Sequence, residues 1–145
     1  MNASAPKKTN TILDKFEVPP AARFLGFEFL DVDSEAMTMQ AGFRASEAML
    51  NPRGTVQGGF LTAMLDEVMG VLALIVTRKG PASVDLHTQF FRPALPGKII
   101  GHSKINHLAG STIFTQGSLF DAEGNKLASA TQTQRLFDIP GVSDA

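Results

Sequence analysis

The sequence predicts an α+β domain in which one long helix is covered by an antiparallel sheet of about six strands. Two observations lead to this fold class. Apolar residues recur with the helical period from Gly58 to about Thr77, and the segments on both sides alternate between apolar and polar residues as strands do. The predicted order is two strands, the long helix and then four strands, an arrangement typical of an α+β domain.

The chain is long enough for one domain with a real core, and it shows no internal repeat or second domain. We predict a flexible or loosely docked leader over residues 1–17, a single domain over 18–140 and a short tail over 141–145. Pro19-Pro20 opens a short helix, and Gly80-Pro81 ends the long one. The predicted helices are 21–25 and 58–77, and the predicted strands are 27–32, 36–43, 83–92, 98–108, 111–120 and 126–137.

Composition removes several classes of function. The net charge is −1 and no long run of one sign occurs, so a nucleic-acid binder is not expected. The absence of cysteine excludes disulfides, thiolate nucleophiles and cysteine metal sites. Residues 1–10 do not resemble a signal peptide, and the longest apolar stretch, Val68 to Val76, is too short to span a membrane. We therefore expect a cytoplasmic protein that does not act on a membrane.

Asp66 has an unusual position on the long helix. At 100° per residue, only small residues lie in its direction, while large apolar residues occupy the opposite side. Gly70 in mid-helix costs up to about 1 kcal/mol relative to alanine, which suggests that another group approaches closely there. The alternative is that a helix or strand packs on this face and Asp66 is only a solvated or capping residue. The small residues are Gly59, Thr62, Ala63, Gly70, Ala73 and Thr77.

Gly58 and Gly59 lie where this helix begins. The first amides of a helix have no partner within it, and the helix dipole favours negative charge at this end. Glycine also allows close approach to the backbone. These amides are therefore candidates to bind a substrate carbonyl and the oxyanion that it becomes, although a flexible helix start explains Gly-Gly equally well.

The run from Asn51 to Asp66, NPRGTVQGGFLTAMLD, resembles the signature of the hotdog-fold thioesterases, in particular the phenylacetate-pathway and thioesterase-superfamily-member type. That signature has an asparagine, a glycine, commonly His-Gly-Gly, and an acidic residue eight positions after the first of the two glycines. Gly58 and Asp66 have this separation. The resemblance covers roughly residues 22–137 and implies a hotdog fold.

The resemblance also implies roles. Asp66 would be the general base that activates water, or the nucleophile, and Gly58 with Gly59 would hold the oxyanion. Asn51 and Ser83 match residues that position the water or the thioester. The family's active site lies between two subunits, so a homodimer or homotetramer is expected, as the open sheet edges also suggest.

Gln57 departs from the signature, because it stands where histidine is common. Glutamine holds a hydrogen bond but does not shuttle a proton near neutral pH. The consequence for rate or pH optimum depends on whether the family's histidine only orients its neighbours.

The remaining candidates have weaker arguments. Phe90, with Thr62 and Gly59, is a predicted substrate contact, and Arg92 is a candidate for the phosphates of coenzyme A. Core packing or solvated strand ends explain such residues as well. Glu67 is interpreted as a surface or interface charge, and no metal site is expected from the histidines. Further pocket or phosphate candidates are Phe60, Met64, Phe91, Lys98 and Lys104, and the histidines are His87, His102 and His107.

The predicted function is hydrolysis of an acyl-coenzyme A thioester, without metal or organic cofactor. The alternatives are a hotdog protein that binds acyl-CoA without cutting it, and a hotdog dehydratase or hydratase, which would need a histidine near the helix. We expect Asp66→Ala to abolish hydrolysis and to leave the fold intact.

Overall fold

The computed structural model describes residues 8–144 and shows one long helix packed on a six-stranded antiparallel sheet, which confirms the predicted fold class. The strand order is β1-β2-β4-β5-β6-β3, and every neighbouring pair is antiparallel. The helices are α1 (Pro20–Phe24) and α2 (Gly58–Thr77), with short 3-10 helices at Ile12–Lys15 and Glu47–Met49. The strands are β1 (Glu28–Asp33), β2 (Thr38–Ala45), β3 (Gly80–Phe90), β4 (Gly97–Ala109), β5 (Thr112–Asp121) and β6 (Lys126–Phe137).

Helix α2 buries one side against the inner face of the sheet. Its buried residues recur every three to four positions, as the sequence periodicity predicted. Helix α2 is long and apolar enough to cross a membrane by length and composition alone. The buried stripe accounts for this apolarity, because it contributes much of the core. The buried residues are Leu61, Met64, Leu65, Val68, Met69, Leu72 and Ala73.

The end of α2 differs from the prediction that Gly80-Pro81 stops it. The helix ends at Thr77, and Arg78 caps it in the left-handed conformation (φ 57°) with its N–H bonded to the Leu74 carbonyl. The Ser143 hydroxyl donates to the Arg78 carbonyl at 2.7 Å. This tail contact satisfies a carbonyl that the helix end leaves without a partner. Gly80 and Pro81 are therefore free to begin β3.

The predicted leader is partly folded where the structure describes it. Thr11 accepts a hydrogen bond from the Leu13 N–H and caps the 3-10 helix Ile12–Lys15. Ile12 is only 6% exposed, and its buried apolar side chain anchors this turn. Residues 1–7, for which flexibility was also predicted, lie outside the described residues.

Strands β1 and β3 form the two edges of the sheet. β3 contains a bulge at Val84, between the pairs Ser83–Gln134 and Asp85–Thr133. Val84 is 64% exposed. The bulge shifts the alternation of β3, so that Ser83 before it and Leu86 after it lie on the same, helix-facing side. This local geometry positions one wall of the candidate site.

Candidate active site

Helix α2 lies along β3, and the side of the helix that carries Asp66 contacts this edge strand. Near the helix start, the Thr62 hydroxyl donates to the Thr88 hydroxyl at 3.2 Å. One turn later, Asp66 meets Ser83, whose hydroxyl donates to Asp66 Oδ1 at 2.8 Å. The side of α2 that carries Asp66 therefore faces the edge strand β3. Of the predicted substrate contacts, Thr62 has its hydroxyl bonded to the protein.

Asp66 Oδ1 accepts two hydrogen bonds, from the Ser83 hydroxyl and from Nε2 of Gln132 on β6. Gln132 Nε2 also donates to Ser83 Oγ at 2.7 Å, which closes a triangle of three side chains. Among the described residues, none donates to Asp66 Oδ2. The carboxylate is thus fixed through one oxygen, and the other is available for a water molecule or a substrate.

Gln132 was not predicted from the sequence as a site residue. A signal for it existed in β6, where alternation places Ala128, Ala130, Gln132, Gln134 and Leu136 on the buried face. A glutamine in a buried register needs hydrogen-bond partners, since an unpaired buried amide is costly. Gln132 is 2% exposed and finds its partners in Asp66 and Ser83.

The start of α2 offers backbone donors. The Phe60 N–H bonds to the Gln57 carbonyl at 2.9 Å, whereas the N–H groups of Gly58 and Gly59 donate to none of the described residues. Gln57 is the N-cap residue, and its side chain makes no capping bond. The ring of Phe90 lies across this start, since a Cβ on Gly58 would be 3.2 Å from its Cζ. An open pair of amides therefore lies beside an aromatic ring.

Gly58 and Asp66 of one chain are too far apart to act on one carbonyl. They are eight residues apart in α2, which corresponds to about 12 Å along the helix axis. A reacting carbonyl must lie about 3 Å from both the nucleophile and the oxyanion donors. A site that uses both residues therefore requires Gly58 and Asp66 from different chains.

Asn51 organises the loop before α2. Its Oδ1 accepts from the N–H groups of Arg53 (2.9 Å) and Thr55 (3.2 Å), and its Nδ2 donates to the Thr55 hydroxyl at 2.8 Å. Among the described residues, Asn51 makes no hydrogen bond to Asp66, Ser83 or Gln132. Within this chain, Asn51 shapes the loop that leads to the helix start.

The other candidates lie apart from the triangle. Met64 is 0% exposed and belongs to the core rather than to a pocket wall. Phe60 packs against Phe24 with ring centroids 5.9 Å apart. Phe91 has the Lys126 ammonium 5.9 Å from its ring centroid. Phe60 therefore remains a candidate pocket residue beside the start of α2, whereas Met64 does not.

Arg92 follows β3 and borders a cavity between the β3–β4 connection and the β5–β6 hairpin, together with Lys98 and Asp121. The pKa of Asp121 is lowered, mainly by a hydrogen bond from the Asn125 N–H and least by the charge of Arg92. Arg92 thus already faces a carboxylate. This neighbour weakens its candidacy as a phosphate ligand, because the local charge is mixed.

The three histidines are exposed: His87 lies on β3, and His102 and His107 lie on β4. His102 packs edge-on against Phe120, with centroids 5.1 Å apart, and His107 lies 6.2 Å from Phe114. Lys104 is also exposed, on the same strand as both of these histidines. These side chains lie on the exposed face of the sheet. In the described part of the chain, none of them forms a hydrogen bond with Asp66.

The space around Gly70 corrects the inference that another group approaches this glycine closely. A Cβ there would lie 3.7 Å from Gln134 Nε2 and 3.9 Å from Pro81 Cγ, which are ordinary van der Waals distances. Close approach within this chain therefore does not require glycine at position 70.

Glu67 is half-buried, and its pKa is raised by burial and by the negative charge of Asp66. A carboxyl whose pKa is higher in the folded state binds its proton more tightly there. Its ionisation therefore lowers the free energy of unfolding as the pH rises above the ordinary carboxyl range.

We expect Glu67→Gln to raise the melting temperature at pH 7 to 8, and to have little effect below the ordinary carboxyl value of 4.5. Thermal melts of both proteins across this range test the prediction. An increase that is largest at acidic pH would contradict it.

Comparison with known proteins identifies the family. Residues 53–128 match the thioesterase superfamily. A search of curated proteins found no match. Among solved structures, the chain is similar to a phenylacetic acid degradation-related protein of Ralstonia eutropha JMP134, with 33% identity, a TM-score of 0.78, and 83% of this chain and 92% of that chain covered.

Two more distant structures show the same fold. The PaaI protein of the Escherichia coli phenylacetic acid degradation operon is 16% identical, with a TM-score of 0.75 over 86% of this chain and 87% of that one. A Streptococcus mutans protein solved with acetyl-CoA bound is 13% identical, with a TM-score of 0.71 over 77% and 89%. Together with the family match and the helix wrapped by six antiparallel strands, these likenesses show that the chain belongs to the thioesterase superfamily and has the hotdog fold.

Proposed function

We propose that this protein hydrolyses an acyl- or aryl-CoA thioester to the free acid and coenzyme A. The observation that carries the proposal is the carboxylate of Asp66, held through Oδ1 by Ser83 and Gln132 with Oδ2 open. Membership of the thioesterase superfamily supports this reaction type. The acetyl-CoA found in the Streptococcus mutans protein of the same fold supports a CoA thioester as the ligand.

In the proposed reaction, Asp66 Oδ2 accepts a proton from a water molecule whose oxygen attacks the thioester carbonyl carbon. The carbonyl oxygen becomes an oxyanion, which the open amides of Gly58 and Gly59 stabilise. The oxyanion then re-forms the carbonyl as the C–S bond breaks, and the thiolate of coenzyme A leaves with the proton that Asp66 had accepted, which regenerates the carboxylate. In the alternative form, Oδ2 attacks the carbon itself and water hydrolyses the resulting anhydride.

Ser83 has a narrower role in this proposal than the resemblance implied. Its single hydroxyl hydrogen is directed to Asp66, so it has none to donate to the attacking water. Its oxygen already accepts from Gln132 and retains one acceptor position. Ser83 therefore holds the carboxylate, and it positions water only as an acceptor.

The proposed active unit contains at least two chains, because Gly58 and Asp66 of one chain are about 12 Å apart along the helix. The edge strand β3 carries Ser83 and the exposed Val84, so a second copy that pairs at this edge would approach the Asp66 triangle. Analytical ultracentrifugation should give a mass of two or four times 15.5 kDa. A monomer that is fully active would contradict a shared site.

The experiment that tests the function is a hydrolysis screen over short, medium, long and aryl acyl-CoAs, with release of the free thiol as the readout. We expect turnover of at least one class of substrate. Tight binding of acyl-CoA by calorimetry without turnover of any member would instead identify a non-catalytic acyl-CoA-binding protein. Hydration of an enoyl-CoA, offered beside the screen, would instead indicate the dehydratase or hydratase alternative.

A further inference from the structure

We propose that Gln132 is the positioning residue of this site: its side-chain amide fixes the carboxyl group of Asp66 so that Oδ2 faces the substrate. This inference rests on the proposed function and extends it to a residue on β6, 66 positions from Asp66. Gln132 does not touch the reacting atoms. It acts through Asp66 and Ser83.

The Gln132 amide nitrogen has two acceptors. It donates to Asp66 Oδ1 and to Ser83 Oγ, and Ser83 donates its own hydrogen to the same Oδ1. Asp66 therefore has a single oxygen fixed by two donors that are themselves joined. Rotation of the carboxylate would break both bonds at once, so Oδ2 keeps one direction.

The position of Gln132 is costly unless it serves the carboxylate. Its side chain is 2% exposed, and its Oε1 is buried without a hydrogen-bond partner in the described structure. A methionine of similar length would fill the same space without burying a polar atom. The chain thus keeps an amide in a core position where packing alone favours an apolar side chain.

The chemical nature of glutamine matters for pH dependence. An amide donates in the same way over the whole physiological range, whereas a histidine would change its charge. The inner faces of β3 and β6 around Asp66 carry Ser83, Leu86, Gln132 and Gln134, none of which is a titrating side chain. On its own helix, Glu67 is the ionisable neighbour, and the charge of Asp66 raises the pKa of Glu67.

Gln134 provides a matched control. It lies two residues further along β6 on the same buried face and is 1% exposed. Its Oε1 accepts from the Thr115 hydroxyl at 3.4 Å, and it makes no bond to Asp66. The same substitutions at 132 and 134 therefore remove an equally buried amide, and only one of them belongs to the triangle.

The experiment compares Gln132→Met and Gln132→Glu with Gln134→Met and Gln134→Glu, on an acyl-CoA that the wild-type protein hydrolyses. We expect Gln132→Met to lower kcat by roughly 10²-fold with little change in KM, because Asp66 loses its orientation. Gln132→Glu places a second carboxyl against Asp66 and should move the acid limb of the pH–rate profile upward by about one pH unit or more. Gln134→Met should keep the wild-type kcat and profile, and Gln134→Glu, at a position that makes no bond to Asp66, should move the acid limb less than Gln132→Glu does.

A wild-type kcat and pH profile in a folded Gln132→Met protein would overturn the proposal. So would equal effects of the substitutions at 132 and 134, since these would indicate loss of packing. If Gln132→Met fails to fold, the side-chain amide signals of the wild-type protein carry the test instead.

A second readout separates this proposal from the proposed function. In the ¹⁵N-labelled wild-type protein, the Gln132 side-chain amide signals should shift with pH in a transition that Asp66→Asn removes. The Gln134 signals should not follow that transition. This result would support the triangle even in a protein that hydrolyses none of the thioesters offered, and its absence would overturn the positioning role even in an active enzyme.

Discussion

Asp66→Asn is expected to lower kcat for acyl-CoA hydrolysis by roughly 10²- to 10⁴-fold, the range that a positioned general base contributes. An asparagine keeps an oxygen at the position of Oδ1, which can still accept from Ser83 and Gln132. Its Nδ2 replaces Oδ2 and cannot take a proton from water or attack a carbonyl. Steady-state kinetics with the substrate that the wild-type protein hydrolyses fastest measure the effect.

Asp66→Ala is the less informative change, because the structure assigns it a cost in stability that the sequence did not indicate. It removes the acceptor for Gln132, an amide that is only 2% exposed. An unsatisfied buried donor costs about 1–3 kcal/mol, so loss of activity would be mixed with loss of stability. Asparagine avoids this penalty.

The adjacent acid gives the control for Asp66→Asn. Glu67 directly follows Asp66 on the helix, but its side chain points about 100° away from that of Asp66. Glu67→Gln should retain kcat within a few-fold. Near-wild-type kcat in Asp66→Asn, or a loss of equal size in Glu67→Gln, would remove Asp66 from the mechanism.

The parts of this fold that could be predicted are those determined by local pattern. The helical period fixed both the length of α2 and the side that faces the sheet, because buried residues must recur every three to four positions. The same period placed Asp66 among small residues. Ser83 was predicted only through the resemblance, and the structure places it within hydrogen-bond distance of Asp66.

The parts that could not be predicted depend on long-range register. Gln132 and Ser83 meet at Asp66 because β6 pairs with β3, and the bulge at Val84 keeps Ser83 on the helix-facing side. Neither the pairing nor the bulge has a local signature. The cap at Arg78 was missed for a similar reason. A non-glycine residue is held there in the left-handed conformation, and Ser143, 65 residues away, donates to its carbonyl.

The second large effect is expected from Gly58→Pro. Proline has no N–H, so this change removes one candidate oxyanion donor, and a loss of roughly 10²- to 10³-fold in kcat is the usual consequence. The first helical position tolerates proline because its N–H has no partner in the helix. Gln57 also has the extended backbone that a residue before proline requires, with φ −58° and ψ 131°.

Gly58→Ala controls for the added carbon. Both variants place a Cβ about where it meets Phe90 Cζ at 3.2 Å, so the ring must move by a few tenths of an ångström in each. Only the proline variant lacks the amide. A kcat that falls in Gly58→Pro and is largely kept in Gly58→Ala would assign the amide a role. Equal losses would instead indicate that the position of Phe90 matters.

The two variants together test whether the site is shared between chains. If Asp66 of one chain acts with Gly58 of another, a mixed dimer of Asp66→Asn and Gly58→Pro chains contains one site with both defects and one site with neither. Unfolding and refolding the two inactive proteins together should therefore restore activity, to about a quarter of the wild-type value when random pairing makes half of the dimers mixed. A site within one chain would restore nothing, because every chain would still carry one defect. Recovery of activity would thus establish that Asp66 of one chain and Gly58 of another form one site. Their separation within a chain, about 12 Å or two helical turns, is the reason to expect this.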